Sequence, residues 1–128
     1  MKLNDYFKNQ KVYVWKETFA IVKSKNILPN VFATIKDKRE ITVIIDQSKI
    51  NIKDAIKIRK NYKILTFGMV LPFGLVGFLA KISKALAEEN ISIFAISAYS
   101  TDHILIRNKD LKNAVKKLKS LGFVMKNK

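Results

Sequence analysis

The stretch Leu71–Ile106, LPFGLVGFLAKISKALAEENISIFAISAYSTDHILI, contains a glycine-marked turn, an apolar helical stripe and two strand-like runs. In Phe73–Asn90 the apolar residues recur every three or four positions, which predicts an amphipathic helix packed on a core. The uncharged run Ile91–Tyr99 and the run Asp102–Arg107 are rich in strand-forming residues and predict two strands joined by a tight corner.

The flanking sequence extends this pattern on both sides. Lys63–Leu71 predicts a strand before the helix, and Lys109–Leu121 predicts a second helix followed by a short strand at Phe123–Met125. Gly122 lies where a left-handed residue commonly ends a helix. The order β-α-β-β-α-β is that of an α+β, ferredoxin-like unit.

The first half of the chain predicts a smaller, β-rich subdomain. We expect Met1–Gln10 to be loosely packed and Asn51–Asn61 to form a short helix with Asn51 as its N-cap. The predicted strands are Lys11–Trp15, Thr18–Lys23 and a hairpin of Val31–Ile35 with Glu40–Ile45. Because no Gly/Ser-rich linker interrupts the chain, we expect two halves, residues 1–61 and 62–128, that pack together.

Composition limits the chemistry of the 128-residue chain. There is no cysteine and His103 is the single histidine, so disulfides, Cys–His dyads and His-rich metal sites are excluded. We therefore predict a protein that is not an enzyme and has no catalytic residue, metal site or cofactor. The net charge is +15, but only three of the 25 basic residues are arginine, which favours a solvated lysine surface over a dedicated nucleic-acid face.

Two observations bear on location. The N-terminal MKLNDYFKNQ lacks the apolar core of a secretory signal, and we expect a cytoplasmic protein. The run Ile64–Ala80 is uncharged, but it contains Pro72 and three glycines and continues into an amphipathic stripe. A buried strand, a turn and a helix start explain this run better than a membrane span does.

Chain connectivity predicts that the two turns of the opening stretch are neighbours. A right-handed crossover leaves a gap of one strand between the first two strands, and the third strand fills it. The turn at Gly74 then lies beside the Tyr99–Asp102 corner. A helix beginning there would offer backbone N–H groups to a carboxylate, and Asp102 would accept hydrogen bonds from a cationic group. On spacing alone, Asp102 could instead bond its own turn, and Gly74 and Gly77 could serve helix packing.

The chain resembles the ACT-domain proteins, in particular the group related to Castor-type arginine sensors and short bacterial relatives. The resemblance is carried by FGLVGFLAKISKALAEENISIFAISAYSTDHILI (Phe73–Ile106) and, more loosely, by FAIVKSKNILPNVFATIKDKREITVII (Phe19–Ile45). It implies two ACT-like, ferredoxin-like subdomains that bind an amino acid at an interface without catalysis. His103 and Ser100 depart from the residues common in this family, which leaves the identity of the ligand open.

The resemblance also implies the residues of the site. Gly74 and Leu75 would meet the ligand's carboxylate through their backbone N–H groups. Ala95 and Ser97 would line the pocket, and Thr101 with Asp102 would hold the cationic end.

The bare edge strand Ile91–Tyr99 invites pairing, so we expect it to be covered, either by the N-terminal half or by a second copy in a homodimer. We favour the homodimer. The alternative function is RNA binding on a basic ferredoxin-like sheet. That mode needs exposed aromatic residues on the central strands, and HILIR (His103–Arg107) has none.

Overall fold

The computed structural model describes residues 2–72 and 75–128. Within them the chain forms eight strands and two α-helices: β1 Lys11–Val14, β2 Phe19–Ser24, β3 Ala33–Lys36, β4 Ile41–Asp46, β5 Ala55–Phe67, α1 Phe78–Glu88, β6 Phe94–Ser97, β7 Asp102–Arg107, α2 Leu111–Ser120 and β8 Val124–Asn127. The mixed α+β, ferredoxin-like class predicted from the sequence is confirmed.

The chain divides into two compact units. The small unit is Glu17–Tyr62, and the large unit combines Met1–Lys16 with Lys63–Lys128. The predicted halves, residues 1–61 and 62–128, differ from these units mainly because β1 pairs within the large unit. Whether either half is an ACT-like domain in its own right stays a prediction.

The large unit is organised by a sheet of five strands in the order β8–β1–β5–β7–β6. The strand β7 pairs with both β5 and β6, so it fills the gap predicted from the β-α-β-β-α-β connectivity. The sequence did not predict that β1 lies between β5 and β8, antiparallel to β5 and parallel to β8. The strand β6 is shorter than the predicted Ile91–Tyr99 and pairs, within the described residues, with β7 alone.

The start of the chain is part of this unit's core, and the prediction of a loosely packed Met1–Gln10 is wrong over the described residues. Leu3–Tyr6 forms a 3₁₀ turn, after which Phe7 is buried to 2% exposure. The Phe7 ring centroid lies 5.4 Å from that of Phe78 and 5.3 Å from that of Phe123. Phe7 lies among mostly polar residues in the sequence, so the local pattern did not indicate that tertiary packing buries its ring.

The small unit is built from the strand order β3–β4–β2–β5, to which residues 55–62 of β5 contribute. The predicted hairpin of β3 and β4 is confirmed. The predicted helix Asn51–Asn61 is wrong, because only a 3₁₀ turn, Ile52–Asp54, precedes β5. The helical spacing of Ile52 and Ile56 was misleading, since both side chains are mainly exposed. This segment is a strand because pairing with β2 supplies its backbone hydrogen bonds.

Helix α1 begins at Phe78, later than the predicted start at Phe73, which lies outside the described residues together with Gly74. The N-cap is Gly77 with φ of 92°, a left-handed conformation in which glycine avoids the steric cost of a Cβ. At the other helix, Gly122 has φ of 109°, which confirms the left-handed position predicted after α2. Among the described residues, no helix has the length and apolar character needed to cross a membrane.

Candidate functional site

A cavity of about 310 Å³ lies in the large unit beside the start of α1 and the β6–β7 corner. We call it the corner cleft. Its lining combines residues 71, 72, 75 and 77–80, around the start of α1, with residues 97–102 of the corner. The turn after β5 and the corner before β7 therefore border the same cavity, which is the neighbourhood expected from strand order.

The first turn of α1 contributes Gly77, Phe78, Leu79 and Ala80 to the lining of the corner cleft. The first intrahelical bond runs from the N–H of Lys81 to the carbonyl of Gly77, over 3.0 Å. Among the described residues, no carbonyl one turn earlier receives the N–H groups of Leu79 and Ala80, and the helix dipole places partial positive charge at this end. This end of the cleft is suited to an anionic group.

Asp102 also lines the corner cleft and is partly buried. The hydroxyl of Ser97 donates to Oδ1 of Asp102 over 2.6 Å, across the antiparallel pair that these two residues form between β6 and β7. No other side-chain hydrogen bond reaches the Asp102 carboxylate from residues 2–72 and 75–128. Oδ2 therefore keeps its capacity to accept a hydrogen bond from a cationic group.

A chain of side-chain hydrogen bonds connects the cleft to the neighbouring strands. The Trp15 indole N–H donates to Oγ1 of Thr66 over 2.8 Å. Oγ1 of Thr66 lies 2.7 Å from Nδ1 of His103, whose Nε2 lies 3.2 Å from Oγ1 of Thr101. Thr101 is thus both a lining residue of the cleft and the end of a polar chain that starts at β5 and the residue after β1.

The imidazole of His103 is half-buried in this chain. Burial lowers the pKa of His103 because it penalises the charged form, and the nearby Lys128 ammonium also lowers it. The Asp102 carboxylate opposes both by raising the pKa. His103 therefore favours its neutral form, in which one ring nitrogen donates and the other accepts.

The predicted site residues fall into three groups. Ser97, Thr101, Asp102 and Leu75 line the corner cleft, whereas Ala95 is exposed on β6 and is absent from the lining. Gly74 lies outside the described residues.

One predicted role needs correction, because the backbone N–H of Leu75 donates to the carbonyl of Pro72 over 3.0 Å. That bond occupies the Leu75 N–H, and the first turn of α1 has further N–H groups beside the cleft. Gly77 precedes the apolar stripe, but the sequence pattern alone does not distinguish it from Gly74 as the N-cap.

Sequence reasoning missed Trp15 and Thr66. They are 51 residues apart, and nothing in the local pattern of either strand indicates that they meet. Their contact depends on β1 entering the sheet beside β5, which was the unpredicted step of the topology.

Comparison with known families gives an identification. The family model described as ACT domain matches residues 57–120, which is half of the 128-residue chain. The chain belongs to the ACT-domain family. The match runs from within β5 to the end of α2 and includes all described residues that line the corner cleft.

Several solved structures share this ACT fold. A protein from Agobacterium tumefaciens matches with a TM-score of 0.79 at 17% identity, over 94% of each chain. A Vibrio cholerae protein of unknown function, described as a possible transport protein, matches with a TM-score of 0.76 at 17% identity over 94% of this chain and 95% of its own.

The regulatory subunit of aspartate kinase from Thermus thermophilus is a third match. Its TM-score is 0.62 at 9% identity, over 86% of this chain and 95% of that chain. At these identities the three likenesses establish the fold alone.

Proposed function

We propose that this ACT-domain protein is a non-catalytic regulatory protein that binds a small molecule in the corner cleft, and that the ligand is an amino acid. The observation that carries the proposal is the juxtaposition of the α1 first turn with the Asp102 carboxylate on one cavity. An amino acid carries an anionic and a cationic group on one carbon, and these two features of the cleft complement that pair.

The dimensions of the cleft support a ligand of this class. Its volume of about 310 Å³ is at the lower end of the range for small-molecule sites, which is roughly 300–1,000 Å³. Leu71, Pro72 and Leu75 supply apolar lining beside the polar groups, as is usual in such pockets. The matching aspartate kinase regulatory subunit favours a regulatory role.

The test is a thermal-shift screen of the free amino acids on wild-type protein and on the Asp102→Asn variant. A ligand that binds only the folded state stabilises it by about 2.7 kcal/mol at 100 times Kd. Asn at position 102 keeps the shape but removes the charge, so we expect affinity to fall by about tenfold or more. The matched control is Glu89→Gln, which removes one charge from an exposed position after α1.

Two outcomes would contradict the proposal. One is the absence of any shift with all amino acids, and the other is a shift that Asp102→Asn and Glu89→Gln change equally. Stabilisation by single-stranded RNA in place of amino acids would support the alternative function, RNA binding.

Three finer points belong to this proposal. Within the family, the Castor-type arginine sensors are the group whose sequence pattern the chain resembles. We propose a cytoplasmic location and a homodimer paired through the Ile91–Tyr99 segment. Support for pairing comes from β6, which has a partner strand on one side only within the described residues.

A further inference from the structure

Thr101 lines the corner cleft, and its side chain also contacts the hydrogen-bonded chain of Trp15, Thr66 and His103. The direction of each hydrogen bond in that chain can be derived from what each group is able to donate. That direction then decides what Thr101 offers to a ligand.

The first bond has only one possible direction. An indole nitrogen is a donor and never an acceptor, so Oγ1 of Thr66 accepts from Trp15. The Thr66 side chain is buried to 5% exposure, and its described partners are Trp15 and His103. The hydroxyl hydrogen of Thr66 therefore has one acceptor available, Nδ1 of His103.

The second step follows from the chemistry of neutral imidazole. If Nδ1 accepts from Thr66, the ring proton is on Nε2, because a neutral histidine carries one N–H. Nε2–H then donates to Oγ1 of Thr101, over the 3.2 Å that separates the two atoms. The opposite tautomer would leave the buried Thr66 hydroxyl hydrogen without a described acceptor, which is unfavourable.

The consequence concerns the cleft. Because Oγ1 of Thr101 accepts from His103, its own hydrogen is available to donate, and no described group other than His103 bonds to it. Resting on the function proposed above, we propose that Thr101 is a specificity-determining donor that recognises an oxygen acceptor of the ligand, the carboxylate of the amino acid. His103 and Thr66 are positioning residues that orient this hydroxyl.

This assignment differs from the role that the family resemblance implied for Thr101. The neighbouring pair would divide the ligand between them, with Thr101 and the α1 first turn serving its carboxylate and Asp102 serving its ammonium. An amine that lacks the carboxylate would lose the Thr101 bond and keep the Asp102 contact.

The direction of the hydrogen bonds from Trp15 to Thr101 can be tested without any ligand. His103 is the single histidine and Trp15 the single tryptophan, so their side-chain nitrogen resonances in ¹⁵N NMR need no further assignment. We expect the neutral ring to carry its proton on Nε2 in wild-type protein and to become a mixture of tautomers in Thr66→Val. Thr34→Val, at an exposed position of β3, is the matched control and should leave the ring unchanged. A proton on Nδ1 in wild-type protein would overturn the proposal.

The recognition step is tested by binding. For an amino acid that binds wild-type protein, Thr101→Val should lower the affinity by about tenfold to a hundredfold, and Thr101→Ser should restore most of it. The decarboxylated amine of the same compound should bind Thr101→Val and wild-type protein equally. Equal loss for both compounds would overturn the proposal, because the effect would then be structural.

The two proposals fail in different ways. If no amino acid binds wild-type protein, the proposed function fails and recognition by Thr101 fails with it. The tautomer of His103 still shows the direction of the hydrogen bonds. If an amino acid binds and Thr101→Val binds it unchanged, the function stands and the role of Thr101 is wrong.

Discussion

At the residue scale, His103 gives the fold a defined dependence on pH. The folded pKa of His103 is lowered by burial from its ordinary value of 6.5, although Asp102 opposes the shift. The unfolded chain therefore takes up the proton first on acidification. The stability contributed by the neutral ring is complete above about pH 6.5 and is lost as the pH falls through that value to the folded pKa.

This dependence can be measured as the melting temperature between about pH 7.5 and about pH 5.5. We expect wild-type protein to lose stability over this interval and His103→Gln to show a flatter profile, because no other histidine titrates there. Both proteins have the same Asp and Glu carboxyl groups, so these groups do not account for a difference between the two profiles. Parallel profiles for the two proteins would show that His103 does not contribute.

The position of a site residue could be predicted from the sequence only where it depends on the neighbouring residues and on the connectivity of the strands. Asp102 follows a turn at a strand start, and the connectivity placed it near the preceding turn, so its position at a cavity was foreseeable. The hydrogen bonds of Leu75 and Thr66 were not, because each depends on a backbone or side-chain partner that no periodic pattern encodes. Gly74 stays a prediction.

At the scale of elements, the N-terminal segment is part of the core of the large unit. The ring of Phe7 packs against two other phenylalanine rings, and the Nζ of Lys81 lies 4.4 Å from its centroid. Lys81 also donates to Oδ1 of Asn4 over 2.8 Å, so this segment is held to α1 by polar as well as apolar contacts.

We predict that Phe7→Ala destabilises the protein by about 3–5 kcal/mol, because it leaves a cavity among aromatic side chains in the core. Denaturant unfolding measures this change. Lys8→Ala, at the next and exposed position, should change the free energy of unfolding by less than about 0.5 kcal/mol. If the two variants were equally stable, the first residues would be dispensable to the core.

The sequence predicted the type of an element correctly where its apolar stripe or its alternation of apolar and polar residues packs on the core of its own unit. Helices α1 and α2 and the β3–β4 hairpin are of this kind. The pattern failed at Asn51–Asn61, where pairing with β2 outweighed a helical spacing of exposed isoleucines. The pattern also failed at the N-terminus of α1, because the sequence does not show which of several glycines is the N-cap; the backbone conformation does.

At the scale of the whole molecule, a net charge of +15 acts against self-association unless a specific surface favours it. The strand β6 offers such a surface, because it is uncharged and pairs with β7 alone among the described strands. Unpaired backbone groups along a strand edge form a template for a second strand. The proposed homodimer would use that template by joining two copies of β6.

We therefore expect wild-type protein to be a dimer in light scattering after size exclusion, and Ala95→Lys to be a monomer. Ala95 is exposed on β6 and does not line the corner cleft, so the new lysine should leave the fold intact while two like charges meet at the pairing edge. Ala87→Lys adds the same charge at an exposed position of α1 and should remain a dimer. A monomeric wild-type protein, or a dimer that tolerates Ala95→Lys as well as Ala87→Lys, would exclude β6 as the interface. Since the corner cleft includes Ser97 at the end of the same strand, a dimer formed there would also bring a second copy close to the proposed ligand site.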